Sequence, residues 1–348
     1  MSLSNGDLAE LLWRAGDEET AHRRRALRRA AGAARFWSEE AGDLAEAERS
    51  LTELHAVGPW VAAMIHGWLD APPDLPEPDE TRSGFLTMAE ARRVLDAEPD
   101  WERTPHADLQ VHTTDSDGGL PLSEMAAFAR ELGRPFIAIT DHSKSLTIAN
   151  GMDEERLADQ IVRIGEVNVE LASSGDPFRV LRSIEMDVFP DGTCDMEPEA
   201  LAPLDLVLGA FHSKLRMRED QTERYLAALR DPSVHVLAHP QARMYGRRAG
   251  LRADWARVFA EAADRGKAVE LDATPARQDL SVELARIAVT EGVQWFSIGS
   301  DAHSSFELQF LPFGLATASL AGIPRERILN YRTVDEVVAW ATELRTRR

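Results

Sequence analysis

The chain predicts an α/β protein, a distorted seven-stranded β/α barrel behind a small all-helical domain. Three observations carry that reading. From residue 104 onward, short apolar runs alternate with segments of helical period. One after another those runs end in imidazoles and carboxylates. Ahead of them, residues 7–70 have helical periodicity throughout.

Composition sets the outer bounds. With 348 residues and 44% hydrophobic content, the chain can build one large core and one small one. Its formal net charge is −20, from Asp+Glu 59 against Lys+Arg 39. Such a field disfavours whole-surface binding to nucleic acid, leaves room for a local basic patch, and suits a protein that holds cations. The single cysteine, Cys194, excludes an intrachain disulfide framework and points to a reducing compartment. Met1–Asp7 lacks a signal-peptide core and no apolar run can span a bilayer, so a cytoplasmic protein is expected.

The first element is an alanine-rich helix bearing Arg23, Arg24, Arg25, Arg28, Arg29 and Arg35, with no acid between them. Arg25, Arg28 and Arg29 share a face by spacing. That face is either solvated or a phosphate contact. Leu51 to Ile65 then reads as two helices joined by a tight turn at Val57-Gly58-Pro59, whose outward N–H groups suit a phosphate. This turn resembles a helix-hairpin-helix motif. With the arginine helix, residues 1–70 resemble the N-terminal helical domain of bacterial family X DNA polymerases. The resemblance implies nucleic-acid contacts at Gly58, Arg25, Arg28 and Arg29. Ala56 replaces the hairpin's first glycine, and Trp60 stands where a basic residue is common. A purely structural or partner-docking module is the alternative.

Residues 71–103 read as a semi-rigid linker, with Pro72, Pro73, Pro76 and Pro78 among acids, followed by one helix. Thr87 and Glu90 form its capping box, and Pro99 ends it. The second domain covers 104–348. Its apolar runs are 109–112, 136–140, 180–188, 204–211, 234–238, 268–271 and 295–298. Helical segments at 122–132, 153–173, 219–230, 253–265 and 280–291 separate them, which implies parallel strands. In the first run, Leu109 and Val111 alternate with Gln110 and His112, so each pair is expected on one face.

In a parallel barrel the C-terminal strand ends share one rim. His112, Asp117, His142, Glu185, His212, His239, Asp301 and His303 would therefore converge there. Any one of these histidines alone reads as a structural residue. Together, beside carboxylates, they would be costly to hold without cations. Mixed nitrogen and oxygen donors suit zinc, manganese or iron, and the number of donors implies two or three ions.

These stretches identify residues 106–348 as similar to the PHP (polymerase and histidinol phosphatase) domain, above all the version at the C-terminus of family X polymerases. The resemblance implies three sites. Gln110, His112, Glu185 and Asp301 match the first. Glu185, His212 and His239 match the second, and Asp117, His142 and His303 the third. Gln110 stands where the family has histidine. The implied activity is metal-dependent phosphoester hydrolysis by activated water, with Glu185, Asp301 and His303 as the catalytic residues. Arg243, Arg277, Lys144 and Ser143 are candidate substrate contacts. The expected substrates are nucleic-acid ends or nucleotides, as for an exonuclease or 3′-phosphatase. A small-metabolite phosphomonoesterase of the histidinol phosphatase kind and a noncatalytic metal-bound scaffold for DNA or a protein partner are the alternatives. The linker is too short to hold a polymerase palm, and glycine-rich phosphate loops of nucleotide-binding folds are missing.

Overall fold

The computed structural model describes residues 3–75 and 77–346; Met1, Ser2, the linker's Pro76, Arg347 and Arg348 lie outside the described residues. The chain divides into two compact units, Met1–Glu98 and Pro99–Arg348. No helix is long and apolar enough to cross a membrane among the described residues.

The first unit is helical. Helix α1 (Asn5–Ala15) starts in a Ser4/Asp7 capping box. It packs against α2 (Ala21–Ala34), whose Leu27, Ala30, Ala31 and Ala34 are buried. Buried Asn5 ties α1 to α3 (Ala41–Glu46): its side-chain oxygen accepts from Ala41 N at 2.9 Å, and its own N–H donates to Glu40 at 2.7 Å. Helix α4 (Pro59–Asp70) begins at Gly58, with Pro59 in its first turn. In place of a full helix before it stands a single 3₁₀ turn, Leu51–Glu53. Ala56 lies in the left-handed region at φ 66, where a glycine would be unstrained. The helix expected in the linker, α5 (Met88–Ala97), has the Thr87/Glu90 capping box. It belongs to the first unit, where Arg93 pairs with Glu40 at 2.8 Å.

The second unit is a mixed α/β structure with parallel sheets. A three-stranded sheet runs β1 (Asp108–Val111), β2 (Phe136–Ile139) and β3 (Arg179–Arg182). A five-stranded sheet runs β4 (Glu185–Asp187), β5 (Leu208–Ala210), β6 (Val236–Leu237), β7 (Ala268–Asp272) and β8 (Trp295–Gly299). Every pairing is parallel. The expected third run is two strands, so among the described residues eight replace seven. Its first half pairs with β2 and its second with β5. The switch falls at Ser183-Ile184, where Asp205 binds Arg182 through both backbone N–H and guanidinium.

Helices separate the strands. They are α6 (Asp100–Arg103), α7 (Leu122–Glu131), α8 (Glu154–Ser173), α9 (Pro198–Leu201), α10 (Thr222–Arg230), α11 (Trp255–Arg265), α12 (Val282–Thr290), α13 (Leu311–Ala321) and α14 (Val334–Thr346). Aspartate or serine caps several of them: Asp153 on α8, Asp254 on α11, Ser281 on α12. Gly266, at φ 67, ends α11.

Two cores flank the three-stranded sheet. Phe136 and Ala138 join one and Ile137 and Ile139 the other, the alternation a pleated strand requires. Strand β1 departs from it. Leu109 lies in the first core and Val111 in the second, although they are two residues apart. The register against β2 shifts by one residue between Asp108 and Val111, and one extra residue turns all later side chains to the other face.

Candidate metal centre

The two sheets meet at two single bridges, Val111↔Ala302 and His142↔Glu185. The first lies at the C-terminal ends of β1 and β8, and the second joins the segment after β2 to Glu185, the first residue of β4. At the first bridge His112 N donates to Ala302 O at 2.9 Å, which brings His112 beside Asp301 and His303. At the second, Glu185 N donates to Asp141 O and Ser143 N to Glu185 O, each at 3.1 Å. His142 and Glu185 therefore face each other across the joint. A turn folds Asp117 over the end of β1. A side chain on Gly118 would stand 2.6 Å from the backbone of His112 and Thr113, so only glycine fits that crossing.

Three groups of donors result: His112/Asp117/His142/His303, His142/Glu185/His212 and His112/Glu185/Asp301. His112 Nε2 lies 3.1 Å from Asp301 Oδ1 and 3.3 Å from Glu185 Oε2. His142 Nδ1 is 3.3 Å from Glu185 Oε2, and His212 Nε2 is 3.0 Å from Glu185 Oε1. On the open side, His303 Nε2 and His142 Nε2 lie 3.3 and 3.5 Å from Asp117 Oδ1. The His112 and His303 rings stack at 4.3 Å.

These groups fit divalent cations. Both ring nitrogens of His112, Nδ1 of His142, Nε2 of His212 and Oε2 of Glu185 are buried and make no hydrogen bond. Each such orphan would cost about 1–3 kcal/mol. Yet they stand about as far apart as two ligands of one tetrahedral ion, roughly 3.3 Å for bonds of 2.0–2.1 Å. Close approach without hydrogen-bond alignment is the signature of lone pairs aimed at a shared point.

Charge is balanced inside the cluster. Burial opposes the imidazolium of His112, but Asp301 and Glu185 overcome it and hold its pKa well above the ordinary value. His212 is likewise held up to about 9, by Glu185 and Asp187 against burial. His142 is pulled down to about 3 by burial, which the charges of His112 and His212 reinforce against Glu185. Burial would raise the carboxyls of Glu185 and Asp301. The ring of histidines around it, His142, His239, His212 and His112, holds Glu185 well below the carboxylate range, and Arg277 with His112 does so for Asp301. His239 and Asp301 have φ values of 26 and 51, so backbone strain gathers here too.

Behind the cluster lie three buttresses; of these, Asp141 and Asp108 are not singled out by the sequence, whereas Asp187 reads there as either an orienter of a ligand or an ordinary loop residue. Asp141 accepts from Thr113 N and Oγ1 at 2.8 and 2.6 Å, Ser116 Oγ at 2.5 Å and Gln160 Nε2 at 2.6 Å. It thereby pins the loop that presents Asp117. Asp108 accepts from Ser300 N and Oγ at 3.0 and 2.5 Å, anchoring the residue before Asp301. Asp187 accepts from His212 N at 3.1 Å and lies 3.3 Å from its Nδ1, which orients that ring. The sequence signal was an acid flanking each expected ligand.

Other expected residues have different surroundings. His239, expected with Glu185 and His212, approaches Glu185 Oε1 through Nε2 at 2.6 Å, the same oxygen that His212 Nε2 reaches at 3.0 Å, and His142 joins them. Gln110 is fully buried with both amide atoms unbonded. Arg277, a candidate substrate contact, reaches Asp301 at 3.4 Å and Asp272 at 3.7 Å. Arg243 is buried and its Nε donates to the Arg277 and Gln278 carbonyls, so it braces that loop. The Ser143 hydroxyl binds Asp195 Oδ2 and accepts from Asp187 N, each at 2.8 Å. Lys144 is paired with Glu154 at 2.5 Å. In the first unit, Gly58, Arg25 and Arg29 are exposed, whereas Arg28 pairs with Asp17 at 2.5 Å and lies over Trp13.

No family model matches the chain. The chain is 37% identical over 234 residues to the DNA polymerase/3′-5′ exonuclease PolX of Bacillus subtilis, covering 67% of this chain and 40% of that protein. This chain thus spans about two fifths of that relative's length. It is 26% identical over 231 residues to the probable phosphatase YcdX of Escherichia coli K12, covering 64% of this chain and 89% of that one. Among solved structures, the histidinol phosphate phosphatase of Lactococcus lactis, complexed with zinc, L-histidinol and phosphate, superposes with a TM-score of 0.42 at 13% identity. The superposition covers 59% of this chain and 90% of that one.

Proposed function

The chain is a relative of the PHP phosphoesterases of the family X type, and from that premise we propose that it hydrolyses phosphate esters with the help of divalent cations. The observation that carries the proposal is the meeting of three donor groups, sharing His112, His142 and Glu185, with a guanidinium beside them. The ions would be held by His112, Glu185 and Asp301, by His142, Glu185 and His212, and by Asp117, His142 and His303. Bound there, cations supply acidified water and neutralise phosphoryl oxygens.

The chain's own residues do the remaining work. Glu185, buried and ionised, offers one oxygen to each side of the cluster. Arg277 sits beside Asp301, where its planar fork can hold phosphoryl oxygens. Asp187 keeps His212 in one orientation. His303 lies on the open side, and its pKa is raised by Asp117 against burial. It is the side chain best placed to give a proton to the departing alkoxide.

Nucleic-acid ends or nucleotides are the preferred substrates, supported by the relationship to a polymerase/exonuclease and by exposed Arg25 and Arg29. A phosphomonoesterase acting on a small metabolite is the second reading, supported by likeness to a probable phosphatase over most of that protein's length. The test is manganese- or zinc-loaded protein given p-nitrophenyl phosphate and an end-labelled oligonucleotide. Oligonucleotide cleavage supports end processing, and ester turnover alone supports the metabolite phosphatase. Protein that retains metal yet turns over neither overturns both. His142→Ala or Asp301→Asn must abolish any turnover that belongs to this protein.

A further inference from the structure

Loops after β5, β6 and β7 carry arginines that ester hydrolysis by itself leaves unused. The β6 loop lies on the β7 loop. Tyr245 N donates to Ala276 O at 2.8 Å, and Gln241 N to Asp279 Oδ1 at 3.0 Å. Within the β6 loop, Met244 and Arg248 form an antiparallel bridge around Gly246, whose φ is 65. Arg247 and Arg248 are thereby brought to the loop that carries Arg277. The β5 loop, bearing Arg216, is pinned by Arg224 through Ser213 O at 3.0 Å and Val188 O at 2.7 Å.

The charges of this group are not balanced. Several arginines of the second unit have acid partners, such as Arg130 with Asp176, Arg182 with Asp205 and Arg230 with Glu261. Arg277 has Asp301 and Asp272. Arg216, Arg247 and Arg248 make no ion pair among the described residues, and Arg248 spends its Nε on Ala242 O at 3.2 Å. Burial lowers the Arg248 pKa, and the nearby charges of Arg277, Arg216 and Arg247 lower it further, with Asp279 opposing. Clustered guanidiniums without a counter-ion, in a chain of net charge −20, call for an anion from outside.

We propose that Arg216, Arg247 and Arg248 form a second anion subsite beside the metal centre, one that holds a phosphate other than the one hydrolysed. The substrate class would then carry two phosphates. The second is either the internucleotide phosphate next to a strand end or the far phosphate of a nucleoside bisphosphate. The inference rests on the hydrolase reading for the first phosphate, but its test does not need turnover.

The test is equilibrium binding to the protein as purified. The probes are thymidine 3′-monophosphate, thymidine 3′,5′-bisphosphate and a phosphorothioate tetranucleotide. The wild type should bind a two-phosphate probe about tenfold or more tightly than the monophosphate, the scale of a charge-assisted contact. A gap for the tetranucleotide alone assigns a strand, and a gap for both assigns any second phosphate. In the Arg216→Gln/Arg247→Gln variant, whose side chains are exposed, the gap should close, and Arg248→Gln should narrow it too. Equal affinity of the wild type for all three probes overturns the inference. So does a gap that survives in the double variant. A gap without any ester turnover would sink the hydrolase reading and leave this subsite standing.

Discussion

Replacing Glu185 by glutamine separates the three donor groups. Glu185 is the only carboxylate of His142/Glu185/His212 and one of two in His112/Glu185/Asp301, and it is absent from the group on the open side. Glutamine keeps the volume and removes the charge. Even changes to groups that only support a ligand cost about 10–100-fold in metal affinity, so losing the sole carboxylate should exceed that. After dialysis of loaded protein, the metal content by mass spectrometry should fall by two ions and leave the one on Asp117 and His303. Asp117→Asn should show the complement, losing only that open-side ion. Without metal, the variant also strips the imidazoliums of His112 and His212 of their shared partner. A broken buried pair costs about 3–5 kcal/mol, so the urea midpoint at neutral pH should drop clearly and recover in part as these rings deprotonate. Full metal content with an unchanged midpoint, or loss of every ion with the fold intact, would refute a hub at Glu185.

Three further outcomes follow from the same geometry. Gln110→His replaces a buried amide with two unbonded polar atoms by an imidazole at the position that the family resemblance assigns to the first ion. The first ion should be retained about tenfold more tightly, and unchanged retention on dialysis would show that the position does not face it. Zinc added to ion-free protein at pH 7 should release about two protons, because His112 and His212, the latter held up to about 9, must deprotonate to ligate. Affinity therefore rises with pH, and a silent pH-stat would contradict this. Away from the site, burial pulls His235 down to about 2, with Arg345 and Lys267 adding to it. The folded state thus refuses a proton that the unfolded chain accepts below its usual 6.5. This group's contribution is present above that pH and is lost as pH falls. Between pH 7 and 5 it amounts to about 2 kcal/mol. The stability difference between wild type and His235→Gln should shrink by that amount over the interval, and a constant difference would refute it.

Much of the centre was legible because its signals are local. A run such as Ile137-Ala138-Ile139-Thr140-Asp141-His142 declares a buried strand and a polar end within six residues, and β2 with the start of α8 fall where that pattern puts them. The capping box at Thr87/Glu90 is local in the same way. The arginine substrate contacts were harder to read. Arg277 is beside the cluster, but the Arg243 Nε is turned to carbonyls of a loop thirty-four residues on, which nothing near it in the chain declares.

By itself, then, the sequence determined the order of strands and helices, the kinds of donors at the strand ends, and the acids that flank them. Each of these is set by side chains a few residues apart. The tertiary structure alone decided which donors share a point. A one-residue register shift in β1 parts Leu109 from Val111. A change of partner strand splits residues 179–187 in two. A bridge between sheets sets His142 against Glu185, where His212 and His239 also arrive. The physical reason is that a period-two pattern records which face is buried and carries no record of the neighbour it is buried against, so pairing partners are chosen only when distant segments compete to satisfy the same hydrogen bonds.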